Sequence, residues 1–342
     1  MTFLTRLLRR GEQPPLPADT PAEAAPAEAA EPPTPAPADD TPWWEAPAGG
    51  APPAPDTPPA CTPPAPAAAR PPATQQDSAP VPRARRGLAA AALRDIGRVR
   101  AINQDSVFAL LTSVPRESGD LPVGLFIVAD GMGGHDGGEI ASRMAIAAVT
   151  RAVLADLLIP ALADNATAAL QPLIVAAVQE ANRDIWEHAR AAGSDMGTTC
   201  TAALLVGHTL YLGHVGDSRA YLLDPGGLRC ITSDHSAVGR LIQLGQLDPA
   251  EAREHPLRSQ LYRTVGQAPE VAVDFIHQPL GDASHILLCS DGLWGMLDED
   301  AIRDVLAQSD WPHDACRELI TQANLAGGED NISAVVVTLP AA

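Results

Sequence analysis

Four aliphatic runs in this chain each meet an aspartate beside glycine, serine or asparagine, and that repetition narrows the fold more than any other feature. Phe126-Ile127-Val128-Ala129 stops at Asp130-Gly131, and Val215-Gly216 leads into Asp217-Ser218. Leu287-Leu288-Cys289-Ser290 stops at Asp291-Gly292, while Asp330-Asn331 opens the run from Ile332 to Val337. Short apolar runs bounded by turn residues read as buried strands. Strand ends of this kind can converge at one edge of a sheet, with each carboxylate pointing into the same cleft. Clustered carboxylates repel one another unless cations sit between them, and hard cations such as Mg2+ or Mn2+ prefer oxygen ligands. The pattern predicts a site built from carboxylates around more than one metal ion.

The fold is confined to three quarters of the chain. Of 34 prolines, 23 lie in residues 1–86, interleaved with alanine as in Pro52-Pro53-Ala54-Pro55. That stretch has almost no periodic apolar pattern, so burial cannot offset its ordering entropy. It reads as a disordered, partly polyproline-II tail. Residues 87–342 are ample for one well-buried core.

The net charge is −19, of which the tail, with ten acidic and seven basic side chains, carries −3. The chain has no lysine, so every fixed cation is an arginine. An acidic domain without a basic stripe argues against nucleic-acid binding. Five scattered cysteines, with no Cys-x-x-Cys pair, read as reduced thiols in a cytoplasmic protein. No signal peptide is visible, and no segment reads as a membrane span.

Strands are expected near 88 and at 106–111, 123–129, 198–206, 210–215, 220–223, 271–276, 286–289 and 332–338. Helices are expected at 138–158, 166–191, 298–308 and 312–326. This order predicts an α+β fold, a four-layer αββα sandwich of two antiparallel sheets flanked by helices. Residues 233–265 lack strand character and carry short helical patterns at 237–244 and 249–254. They read as an irregular flap over the cleft.

Six segments stand in one order: Arg98-Val99-Arg100-Ala101-Ile102-Asn103-Gln104-Asp105, Asp130-Gly131-Met132-Gly133-Gly134-His135, Gly197-Thr198-Thr199, Gly216-Asp217-Ser218-Arg219, Ser290-Asp291-Gly292 and Glu329-Asp330-Asn331-Ile332. An isolated Asp-Gly is usually only a turn. Together the six resemble the type-2C (PPM) family of metal-dependent serine/threonine protein phosphatases, in its bacterial form. The resemblance spans about residues 90–338. It implies a metal-dependent hydrolase of phosphoserine and phosphothreonine in proteins, in which a hydroxide held between two ions attacks phosphorus in line.

The resemblance also implies roles. Asp130 and the carbonyl of Gly131 would ligate metal, with Asp130 bridging two ions, and Asp291 and Asp330 would hold the second ion. Asp217 would share a third, weaker ion with Asp291, and the ions would be Mn2+ or Mg2+. Arg100 would bind the phosphate, since a guanidinium fork matches two of its oxygens. Gln104, Asp105 and Asn331 would orient waters and ligands from behind. The implied partners are phosphorylated proteins, a Hanks-type serine/threonine kinase and that kinase's targets. A partner for the proline-rich tail is a further expectation, with Trp43-Trp44 as its docking motif.

Two departures from the family pattern matter. Gln104 stands where the family usually has glutamate, which predicts weaker binding of one metal. It also leaves a rival reading open, a catalytically weak or dead relative that works as a sensing module. Met132 stands where animal members place a histidine acid, which leaves His135, water or solvent as the proton donor. His214 reads as packing, whereas His235 and His255, in the flap, could touch substrate.

Overall fold

The computed structural model describes residues 87–340 apart from 118, 134–136, 164–168, 249–250 and 252–254. The expected disorder of residues 1–86, the tail's tryptophan pair, His135 and most of the second flap helix lie outside the described residues.

Twelve strands form the described framework. In chain order they are β1 (Ala89–Asp95), β2 (Ser106–Val114), β3 (Leu121–Ala129), β4 (Gly131–Met132), β5 (Gly197–Thr198), β6 (Cys200–Val206), β7 (Thr209–Val215), β8 (Arg219–Asp224), β9 (Gly227–Cys230), β10 (Asp274–Pro279), β11 (His285–Cys289) and β12 (Ile332–Thr338). One sheet runs β1-β12-β11-β8-β9 and the other β10-β7-β6-β3-β2, both antiparallel throughout. The helices are α1 (Gly137–Val153), α2 (Ile159–Leu162), α3 (Leu170–Ala192), α4 (Ala237–Gln243), α5 (Asp291–Trp294), α6 (Glu299–Gln308) and α7 (Pro312–Leu325). A π-helical segment, Leu154–Leu158, joins α1 to α2.

Three apolar layers separate four structural ones. Leu125 and Ile127 of β3 face α1 and α3 together with Ala202 and Leu204 of β6. The alternate residues Phe126, Val128, Ala203 and Leu205 face the opposite sheet, where they meet Leu222, Ile286, Leu288, Val335 and Val337. On the far side, Tyr221, Leu287 and Val336 pack on Ile302 and Leu306 of α6 and Leu319 of α7. Strands buried on both faces have no polar side to alternate with, which is why the sequence shows them as continuous aliphatic runs. The αββα sandwich is the architecture expected.

The elements also depart from expectation in detail. The strand expected at 271–276 forms three residues later, as Asp274–Pro279, pairing Asp274 with His214 and Pro279 with Thr209. Val271 is buried by the helical layer instead, so its apolar signal came from packing rather than from pairing. Strand β9 is short and half-exposed and leaves no alternation to detect. The stretch Gly137–Leu162 is helical over 26 residues, and an 18-residue window within it has a mean hydropathy of 1.8, long and apolar enough to cross a membrane by length and composition. The expectation that no segment reads as a membrane span therefore does not hold by composition alone. The helix is alanine-rich because α1 lies close against α3, with Ala141, Ala145, Ala148 and Ala152 buried.

Candidate active site

Register brings the carboxylates together. Ser106 pairs with Ala129, so Asp105 and Asp130, which adjoin this pair, come off the same end of β2 and β3. Cys289 pairs with Ala334 on one side and Arg219 on the other, which sets Asp291, Asp330 and Asp217 at the matching end of the second sheet. The hollow between them is lined by Arg100, Gln104, Asp130, Asp217, Asp291 and Asp330, with a volume of about 430 Å³. All the residues expected at the site except Asp105, which is fully buried, therefore line one cleft.

Each carboxylate is held from behind. Asp105 is fully buried, and its Oδ2 accepts from Ser290 Oγ at 2.7 Å. The backbone N–H of Asp130 donates to Thr199 Oγ1 at 2.9 Å, and its carbonyl accepts from Thr199 N and Thr198 Oγ1, each at 2.8 Å. Asp217 is 4 % exposed, and its carbonyl accepts from Trp294 Nε1 at 3.0 Å. Asp330 Oδ1 accepts from Asn331 N at 2.8 Å, and its Oδ2 meets Arg100 at 2.6 Å. Asn331 borders the hollow, but its side-chain amide is committed to main chain. Its amide donates to the carbonyls of Ile96 and Ile102, both at 2.9 Å, and its Oδ1 accepts from Gln104 N at 2.8 Å. It thereby ties the loop carrying Arg100 to the start of β12.

Two glycines are required for different reasons. Gly131 has no positive φ, so freedom to turn is not what requires it. A Cβ there would stand 2.1 Å from the Gly138 carbonyl oxygen and 2.5 Å from that of Gln104, so close packing of three backbones demands glycine. Gly216 does need its freedom, with φ +111° and no room beside Thr199.

The electrostatics are those of crowded acids. Burial, and then the neighbouring charges, push Asp130 and Asp217 well above the usual carboxylate range. Burial raises Asp105 to about 7, opposed by the hydrogen bond from Ser290. Asp291 rises to about 6 through burial and the charge of Asp330. Asp105 Oδ1 and Asp291 Oδ1 are buried and accept no hydrogen bond. Orphaned anionic oxygens of this kind are what a hard cation satisfies. Among the described residues no three His, Cys, Asp or Glu side chains form a closed cage. Ions such as Mg2+ suit an open set, because they keep several waters and take only one or two carboxylates. The residues present fit divalent cations.

His235 is not at the surface to touch substrate: it is 1 % exposed, and its Nδ1 accepts from Gly216 N at 3.0 Å. The ring Nε2 lies 3.1 Å from Asp274 Oδ2. His214 is buried against Thr201 and Ser233, and burial lowers it to about 4, as fits packing. The sequence reading assigned no role to Thr199, Ser290 or Trp294. Thr199 and Ser290 stand within the motifs, but only pairing across strands shows what their hydroxyls hold.

Fold and cleft together define a metal-dependent phosphatase of the serine/threonine class. The protein phosphatase 2C family model matches residues 98–326. The chain is 35% identical over 247 residues to the serine/threonine phosphatase stp of Listeria welshimeri, covering 71% of this chain and 92% of the relative. It superposes on the crystal structure of the Mycobacterium tuberculosis serine/threonine phosphatase PstP/Ppp with a TM-score of 0.63 at 35% identity, covering 74% of this chain and 99% of the other. A structure of the PstP catalytic domain in complex with two manganese ions matches with a TM-score of 0.61 at 33% identity, covering 73% and 97%. The chain belongs to the protein phosphatase 2C family and is a serine/threonine protein phosphatase that acts on phosphorylated proteins.

Proposed function

We propose that Asp130, the Gly131 carbonyl, Asp291 and Asp330 hold two Mn2+ or Mg2+ ions, with Asp217 and Asp291 taking a third. The observation that carries this reading is the convergence of buried, mutually repelling carboxylates with orphaned oxygens beside one exposed arginine. Divalent ions bound there would activate water and neutralise charge on the phosphoryl group. The chain's own residues supply the rest. Arg100 leaves its ion pair with Asp330 to grip two phosphate oxygens, a movement its 53 % side-chain exposure permits. Ser290 holds Asp105 in place through its Oδ2, leaving the buried Oδ1 free to accept from a water bound beside the ions. Thr199 and Thr198 fix the main chain at Asp130, which keeps its carboxylate in register with Asp291. Gln104 presents a neutral amide rather than a charge.

The protein would reverse the work of a Hanks-type serine/threonine kinase in the cytoplasm, a setting supported by the four unpaired cysteines among the described residues. Residues 1–86 would act as a tail apart from the catalytic domain at 87–342, with a docking partner of their own. The test is hydrolysis of p-nitrophenyl phosphate and of a phosphothreonine peptide, with Mn2+, Mg2+ or EDTA, beside Asp291→Asn. Turnover that both EDTA and the substitution abolish is expected. Absence of turnover with every metal, in folded protein, would overturn the reading.

A further inference from the structure

A second hollow, of about 400 Å³, opens beside the catalytic one. Arg100, Ser259, Asp291 and Asp330 line both. Its walls are Val238 and Ile242 from α4 on one side, and Trp294 and Met296, at and just after the end of α5, on the other. Its floor is the ion pair of Arg219 and Asp234, at 2.7 Å. The Arg219 guanidinium also lies 3.7 Å from the Trp294 ring centroid and donates to Tyr221 Oη at 3.1 Å. That cation is therefore engaged on every side and is not offered to a second phosphate. What remains is a slot with two apolar walls and a neutralised floor, rimmed by Glu299 and by the ion pair of Arg258 and Glu329 at 3.2 Å, and continuous with the place where the phosphoryl group must sit.

We propose that this slot seats a large apolar side chain of the substrate protein, a few residues from its phosphoserine or phosphothreonine. The inference rests on the catalytic reading above and adds a sequence preference to it. The shared wall requires the occupant to belong to the polypeptide that fills the catalytic hollow. Both apolar walls then remove water from an aliphatic or aromatic side chain, as specificity pockets do. Trp294 also links the two hollows: one face of its ring meets the slot's floor, while its Nε1 holds the Asp217 carbonyl. The slot is thus a specificity site built onto the back of the catalytic one.

The test uses the full chain with Mn2+ and two phosphothreonine peptides, identical except for leucine or alanine at one flanking position, scanned over three residues on each side. At one position the leucine peptide is expected to have a kcat/KM about tenfold higher. Ile242→Asp and Met296→Asp should each erase that preference while leaving p-nitrophenyl phosphate turnover within about twofold. Calorimetric binding of the same pair as phosphonate analogues reads the slot without turnover. A leucine preference in binding that Ile242→Asp removes supports the slot even where neither substrate is hydrolysed, an outcome that would sink the catalytic reading alone. No leucine preference at any position, or one that survives both substitutions in turnover and binding, overturns the proposal.

Discussion

The space between the two sheets and the edge where their strands end are built from the same strands under opposite rules. Between the sheets, Phe126, Leu205, Leu288 and Val335 are fully buried and wholly apolar, with nothing left to satisfy. At the edge, a residue or two beyond those runs, acids are buried beside acids, and two of their oxygens accept no hydrogen bond. The sandwich supplies the stability that allows the edge to remain unsatisfied until cations arrive. Strain and unmet charge gather where chemistry needs them, and the rest of the fold compensates.

Paired substitutions on one sheet system break that comparison most directly. Asp130→Asn is expected to lower turnover about a thousandfold, several kcal/mol of barrier. It should also raise the melting temperature of the metal-free protein by a few degrees, because it removes a buried like charge. Leu288→Ala should do the reverse, costing about 2–5 kcal/mol of stability while the folded fraction keeps its kcat. Thermal melts in EDTA alongside turnover numbers check both. A destabilised Asp130→Asn would show that the edge is not held under electrostatic strain.

The next effect concerns the loop that ties edge to core. Asn331→Leu removes two donors and one acceptor that anchor residues 96–104. Its kcat/KM is expected to fall about 10–100-fold, as for the outer partners of metal ligands. The loss should raise KM on both substrates at an unchanged Mn2+ requirement if Arg100 is displaced. A raised Mn2+ requirement would point to the metals instead.

A smaller effect follows from the raised acids. Asp105 at about 7 and Asp291 at about 6 bind protons more tightly folded than unfolded, where aspartate titrates near 4. Their contribution favours the fold below about pH 4 and is lost as pH rises through 6 and 7. The metal-free protein should therefore melt lower at pH 8 than at pH 5, and Mn2+ should raise the melting point more at pH 8. A metal-free melting point that rises from pH 5 to pH 8 would remove the electrostatic argument.

The smallest change concerns Gln104, whose side chain packs where a Cβ on Gly138 would stand 2.8 Å from its Nε2. Gln104→Glu should lower the Mn2+ concentration for half-maximal activity a few-fold with little change in kcat. An unmoved metal dependence would separate this position from the ions.

How much of this was legible beforehand differs by residue. The two-faced burial of β3, β11 and β12 was plain, because a strand covered on both sides shows as an unbroken aliphatic run ending at its aspartate. The ordered motifs likewise pointed to Arg100, Asp130, Asp291 and Asp330. His235 was left as a residue that could touch substrate, since a histidine in a polar loop gives no sign that its ring will be buried under the Gly216 turn. Strand β10 was misplaced because Val271 is apolar for the sake of a helix layer. The reason for Gly131 was hidden too, since the backbones that crowd it come from residues 104 and 138.

The sequence by itself determined the αββα class and the family, and it singled out the acids proposed to carry the chemistry, because local patterning and motif order are properties of the chain. Only tertiary structure decided which oxygens are left without partners, which carbonyls Asn331 holds, and that a slot with apolar walls adjoins the cleft. Those depend on strand register and on contacts between residues up to 235 positions apart, such as Asn331 with Ile96. Proximity of that kind is set by the packing of the sheets and is written in no local segment of the chain.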